Sequence, residues 1–231
     1  MPKKININLI TNQPKENKIH EYNLKIDKLF YLKKFQSYPG VLSPNLITAK
    51  LLAKYLYRNN KLYLNKTVID MGCGSGIQGI TTALNGAKEV FFSDISKPAI
   101  KNTIANIKQN KLSKKTKVFQ GNLFEKIKIK ADLIIFNHPF FEDKLPKNTI
   151  SASLADSNGG LINIFLENAK SHLKKNAKII MPYDFSAGNK NSPKTQGQKH
   201  DYKVALRSKY KIDSIIKKGN FSYNLIYELK L

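Results

Sequence analysis

Val68-Ile69-Asp70-Met71-Gly72-Cys73-Gly74-Ser75-Gly76-Ile77-Gln78-Gly79 is the stretch whose reading decides the fold. Thr67, Val68 and Ile69 suit a buried strand, and Asp70 ends it. Glycines then fall at positions 72, 74 and 76, and an apolar helical pattern begins at Ile77. A strand, a glycine turn and a helix N-terminus are expected in that order. Glycines let the backbone come close to a ligand because no Cβ stands in the way. The first turn of a helix also presents N–H groups without intrahelical partners. A small ligand is therefore expected across this turn.

Two ligand classes compete. Gly74-Ser75-Gly76-Ile77-Gln78-Gly79 fits the dinucleotide pattern G-x-G-x-x-G. In that fingerprint the first glycine closes the strand, where a pyrophosphate meets the helix dipole. Here a carboxylate, Asp70, closes it, four residues before Gly74. A negative charge at that point repels a pyrophosphate and attracts a cation. A phosphate-binding P-loop is excluded, because G-x-x-x-x-G-K-[ST] is absent. An acidic residue followed by Gly-x-Gly-x-Gly resembles the first motif of the class I S-adenosylmethionine-dependent methyltransferases. The ligand of that family carries an ammonium and a sulfonium and no phosphate, so the sign of charge agrees.

The chain has 231 residues, 41% of them hydrophobic, which is enough for one domain with a buried core. We divide it into a cap, residues 1–42, and a main domain, residues 43–231. Cys73 is the single cysteine, so no internal disulfide forms and a reducing compartment is expected. No apolar run approaches the ~20 residues that span a bilayer, and the N-terminus lacks a secretory apolar segment. A cytoplasmic protein without membrane contact is expected. The formal net charge of +24 invites an anionic partner. Nearly all of it is lysine, with arginine only at Arg58 and Arg207, and an AT-rich genome would produce the same bias through its codons.

Along the chain, Tyr22, Leu24 and Ile26 alternate like a strand. Ser43-Pro44 reads as a helix start, with Ile47, Leu51, Leu52 and Leu56 as its apolar stripe. Strands are expected at Thr67–Asp70, Glu89–Ser93, Lys117–Gln120, Ala131–Phe136 and Ala177–Met181. Between them lie a helix ending at Asn85-Gly86 and one capped by Ser96 with Ile100, Ile104 and Ile107 on one face. A third, after Gly159-Gly160, carries Ile162, Phe165, Leu166, Ala169 and Leu173. Asp184–Tyr202, rich in Gly, Asn, Ser, Lys and Pro, reads as a mobile loop. Strand patterns at Tyr210–Ile216 and Phe221–Leu229 close the chain. The fold class is α/β, a doubly wound, mostly parallel seven-stranded sheet with an antiparallel C-terminal edge.

Ligands in such sheets sit at the carboxyl ends of the strands. Those ends carry Asp70, Asp94, Asn122 and Asn137. Asp94 lies at the interval where an acidic residue grips ribose hydroxyls, while Asn122 reads equally as a ligand contact and as a turn. After the fourth strand comes Asn137-His138-Pro139-Phe140. The Asn137 side-chain oxygen and the His138 carbonyl can each accept one hydrogen bond from an NH₂ group, and Phe140 can stack on a flat group. This resembles the Asn-Pro-Pro-Tyr/Phe motif of methyltransferases acting on adenine-N6, guanine-N2 and glutamine amide nitrogen, with His138 in place of the first Pro. The resemblance runs from about Ser43 to Ser171. It implies S-adenosylmethionine as cofactor, held by Asp70, Gly72, Gly74, Gly76, Asp94 and Asn122. It implies Asn137, His138, Pro139 and Phe140 as the reaction site, with Asp156 and Gly159-Gly160 following as in the same enzymes. The acceptor it implies is macromolecular, a nucleic-acid base or a glutamine in a translation-related protein. A small-molecule acceptor and a non-catalytic binding module are the alternatives. Cys73 reads as a packed residue. His20, His172 and His200 show no ligand spacing, so no metal is expected.

Overall fold

The computed structural model describes residues 18–142, 153–156, 159–213 and 221–231. Strands β1 (His20–Lys25) and β2 (Tyr31–Ser37) form an antiparallel hairpin of their own. The main sheet contains β3 (Thr67–Met71), β4 (Glu89–Asp94), β5 (Thr116–Gln120), β6 (Ala131–Phe136), β7 (Leu173–Asp184), β8 (Lys203–Asp213) and β9 (Phe221–Lys230). Its order is β5-β4-β3-β6-β7-β9-β8. The first five strands run parallel, and β9 pairs antiparallel with both β7 and β8. The expected fold class is the observed one. The chain leaves β3 toward β4 and β5 and returns on the other side as β6, which opens a crevice beyond the ends of β3 and β6.

Helices α1 (Ile47–Arg58), α2 (Ile77–Leu84), α3 (Lys97–Gln109), α4 (Gly160–Ala169) and α5 (Pro193–Lys199) and four single-turn 3-10 helices complete the described elements. Successive strand residues feed opposite faces of the sheet. Val68, Val90, Leu133 and Ile135 join a core that contains α1, α2 and the hairpin residues Leu24, Ile26, Leu32 and Phe35. Ile69, Phe91, Ile134 and Phe136 join another that contains α4. Burial on both faces explains why the central strands are apolar throughout.

Several elements differ from the sequence reading. Ser43-Pro44 does not start α1: Ser43 Oγ accepts from Asn45 N in a short turn, and the helix begins at Ile47 behind Leu46, which supplies no side-chain cap. Its buried face is Thr48, Ala49, Leu52, Ala53, Tyr55 and Leu56, and Ile47 is exposed. The inner face of α3 is polar rather than isoleucine-rich, with Asn102, Thr103 and Asn106 buried beside Ile107, and Ile104 exposed. Leu173 opens β7 instead of closing α4. The expected mobile loop 184–202 is packed: Ser192 caps α5 by accepting from Lys194 N, Pro193 occupies its first turn, and Gln196 and Gly197 are buried. The end of the strand expected at Tyr210–Ile216, residues 214–216, lies outside the described residues, as does the cap before residue 18.

Candidate functional site

At the end of β3 the backbone turns through three left-handed glycines, Gly72 (φ 60°), Gly74 (φ 56°) and Gly76 (φ 81°). A side chain at any of them would be strained. Cys73 N donates to Ser93 O at 3.1 Å and Gly76 N to Cys73 O at 2.7 Å, which ties the turn to β4 and to itself. Gly79, one helical turn further on, serves packing: a Cβ there would run into the Phe92 ring. That close approach brings the Gly79 N–H to Asp70 Oδ2 at 2.8 Å. Asp70 is 1% exposed, and burial raises its carboxyl from 3.8 to about 8. Cys73 is buried with its thiol pushed up by desolvation, and Thr103 Oγ1 donates to its sulfur at 3.3 Å.

Asp94 bridges two elements. Its Oδ2 accepts from Gly74 N and its Oδ1 from Ser96 N, each at 2.9 Å, while Ser96 Oγ caps α3 by accepting from Ala99 N. Burial also raises the Asp94 carboxyl. Asn122 is exposed in a turn in which Glu125 N donates to Asn122 O at 3.0 Å.

The 137–140 segment is held by backbone and by a buried asparagine. Leu154 O accepts from Phe140 N at 3.1 Å and from Phe141 N at 3.0 Å. Asn191 Nδ2 donates to Phe140 O at 3.4 Å and to Asp156 O at 2.6 Å. The His138 ring is 2% exposed and nearly parallel to Tyr183, with centroids 6.1 Å apart. Desolvation lowers its imidazole to about 4, so it is neutral at neutral pH. Its Nε2 lies 3.1 Å from Asn191 O, which can only accept, so Nε2 carries the proton. Histidine in place of proline thus fixes the segment by an anchored ring rather than by a locked φ. Asp156 accepts from Leu161 N and Ile162 N with Oδ2 and secures the start of α4.

One crevice of about 250 Å³ collects these residues. Asp70, Gly72, Gly74, Asp94, Asn122, Asn137, His138, Pro139 and Phe140 line it, and Gly76 does not. Gly76 packs instead toward Thr103 on α3. A further wall, Gly40–Pro44 with Leu46, Thr48 and Ala49, is not among the site residues named from the sequence, and neither is Asn191 behind the 137–140 segment. Val41 and Leu42, apolar residues between Gly40 and Pro44 with no helical or strand period, were the available signal for the wall. Nothing in the sequence distinguishes a buried asparagine in a Ser/Pro-rich stretch from an exposed one.

The crevice does not share the positive charge of the chain. Although the protein carries +24, the described residues lining the crevice include Asp70 and Asp94 and no lysine or arginine. Such a lining suits a cationic ligand with hydroxyls for Asp94 and disfavours a pyrophosphate. The residues present fit S-adenosylmethionine.

A family model described as "Methyltransferase small domain" matches residues 33–212, more than half of the chain. The release factor glutamine methyltransferase of Borreliella burgdorferi is 36% identical over 126 residues, 50% of this chain and 44% of that protein. The chain therefore spans less than half the length of that relative in the matched region. A ribosomal protein L11 methylase from Lactobacillus delbrueckii subsp. bulgaricus has a similar fold, with a TM-score of 0.56, 20% identity and 82% coverage of both chains. A chain described as a methyltransferase and crystallised with SAH gives a TM-score of 0.63 at 15% identity, over 90% of this chain and 58% of the other.

Proposed function

Because the chain belongs to the methyltransferase small-domain family, we propose that it is an S-adenosylmethionine-dependent N-methyltransferase acting on a planar amino or amide nitrogen of a macromolecule. The observation that carries this reading is one crevice, in a basic protein, lined by the carboxyls of Asp70 and Asp94 and by Asn137, with no lysine or arginine among its described residues. S-adenosylmethionine, when bound, supplies a methyl group activated by a sulfonium. The remaining work belongs to the chain. Asp94, with one N–H on each oxygen, retains accepting capacity for ribose hydroxyls. Asp70 adds negative charge beneath the glycine turn whenever it is ionised.

Asn137 Oδ1 accepts one N–H of the acceptor and the His138 carbonyl the other, which orients the nitrogen lone pair into the crevice. Both hydrogen bonds strengthen as positive charge develops on that nitrogen. Phe140 offers an apolar wall to a flat group. Alignment of this kind contributes on the order of 7–11 kcal/mol to a transfer between two bound groups. The buried His138 ring and Asn191 keep the segment still while this happens. The nitrogen's proton leaves to water. An acceptor in the translation machinery, as the names of the relatives suggest, would place the work in the cytoplasm.

Calorimetry with S-adenosylhomocysteine and with NAD⁺ tests the cofactor: binding of the first alone is expected, and binding of NAD⁺ alone would sink the reading. Labelled S-adenosylmethionine incubated with total RNA and with total protein then locates the acceptor. Label in neither fraction would contradict a macromolecular one.

A further inference from the structure

Strands β6, β7, β9 and β8 are successive neighbours, so β9 stands two strands from the one that presents Asn137. At ~4.8 Å per strand that is about 10 Å. The register sets Asp184, the last residue of β7, opposite Asn224 of β9, so the start of β9 lies at the same end of the sheet as the crevice. Lys211 stands opposite Tyr223, and Asp213 opposite Phe221.

Two features set this edge apart from the rest of a lysine-rich surface. Phe221 is 64% exposed and Phe185, directly after Asp184, is 59% exposed; every other described phenylalanine is buried or half-buried. Both exposed rings therefore occur here. The two lysines beside them also sit closer to aromatic faces than Lys25 on Tyr31 (5.7 Å) or Lys117 on Phe91 (5.2 Å): Lys211 Nζ is 3.6 Å from the Phe221 centroid and Lys209 Nζ is 3.9 Å from that of Tyr223. Glu228, the acidic residue of β9, is taken by Lys178 and Arg207. Among the described residues, Lys209 and Lys211 have no carboxylate in ion-pair range.

We infer that this β8–β9 edge is a docking platform for a single-stranded stretch of nucleic acid, next to the acceptor nucleotide delivered to Asn137. The inference rests on the transfer reading of the crevice. Single strands are held by aromatic faces under the bases and cations along the backbone, without bidentate readout. That mode does not require arginine, and a lysine ammonium serves as a mobile point charge. A base arriving on Phe221 or Tyr223 displaces the ammonium from the ring and leaves it beside the flanking phosphate. An acidic peptide would satisfy the lysines but give the exposed phenyl rings nothing to stack on.

The test uses the full chain and a fluorescein-labelled oligouridine of about twelve nucleotides, within the usual range of single-strand site sizes. A poly-glutamate peptide of equal charge serves as competitor. Phe221→Ala is expected to weaken oligonucleotide binding about tenfold, in line with the loss of one stacked base. Lys209→Gln with Lys211→Gln is expected to reduce the slope of log affinity against log salt by about 0.7 for each lysine. Affinity for S-adenosylhomocysteine is expected to be unchanged in all of them, because none lines the crevice. Parental oligonucleotide affinity in both variants overturns the platform. So does competition by poly-glutamate equal to that of unlabelled oligonucleotide. A parent chain that binds S-adenosylhomocysteine but no oligonucleotide overturns the platform alone. One that binds the oligonucleotide with the expected variant effects but no S-adenosylhomocysteine overturns the transfer reading and leaves the platform standing.

Discussion

Asp94 ends β4 and Asn137 follows β6, with β3 between them, and both line one crevice; their substitutions should separate binding from turnover. Asp94→Ala removes the acceptor for Gly74 N and for a ribose, so S-adenosylhomocysteine affinity measured by calorimetry should fall; unchanged affinity removes the ribose role. Asn137→Ala leaves Asp94 and its partners intact, and turnover should fall about tenfold or more at near-normal cofactor affinity, each ~1.4 kcal/mol being tenfold. Equal loss of both quantities would refute the division. Asp70 carries a pH signature. Its folded-state pKa, about 8, lies above the ordinary 3.8, so the folded chain holds a proton that the unfolded chain releases. The associated stability is fully present below pH 3.8 and is lost as pH rises through about 8. In Asp70→Asn, whose amide oxygen still accepts from Gly79 N, urea midpoints at about pH 6 and about pH 9 should differ less than in the parent. An equal drop in both proteins would show that Asp70 does not titrate in this window.

At the scale of elements, α3 joins the hairpin to the glycine turn. Asn106 Oδ1 accepts from Gln36 N at 2.8 Å, while its Nδ2 donates to Gln36 O and to Ser75 O, each at 2.9 Å. Asn102 accepts from Tyr38 N and donates to Gln36 O, both at 2.9 Å. These side chains pair the open edge of β2 as a neighbouring strand would. Truncating Asn106 to Ala leaves several buried groups unpaired and should cost about 2–3 kcal/mol. A thermal midpoint lower by about 5–10 °C is then expected, with faster amide exchange at Gln36; a midpoint within about a degree of the parent would contradict it. This device also shows where sequence reading failed. Periodicity favoured Ile100, Ile104 and Ile107 as the inner face of α3, but asparagines with backbone partners in another element cannot be told from solvent-facing ones by spacing. The Ser-Pro signal behaved similarly: at Ser192-Pro193 it starts a helix, at Ser43-Pro44 only a turn. The local signal is the same, and the packing of the following residues decides.

On the scale of the whole molecule, the crevice draws its walls from residues 40–44, 46, 48–49, 70–75, 77–78, 93–96, 99, 122–123, 136–140, 153–154 and 161, so unfolding destroys it completely. A ligand at about a hundred times its dissociation constant stabilises such a protein by ~2.7 kcal/mol. S-adenosylhomocysteine should therefore raise the thermal midpoint by about 5–10 °C, while NAD⁺ at equal concentration should not; a shift with both would show a non-selective crevice. The amino-acid sequence by itself determined the doubly wound sheet, the strand-end positions of Asp70, Asp94, Asn122 and Asn137, and the glycine turn. Those follow from apolar period, from the conformations only glycine tolerates, and from the rule that strand ends converge, all of which are local or topological. Only the tertiary structure decided that Gly40–Pro44 lines the crevice, that the His138 ring is buried on Tyr183 and Asn191, and that no lysine of a +24 chain stands among the described residues of the lining. Those facts depend on which distant segments pack together, and burial, unlike periodicity, is a property of the assembled fold.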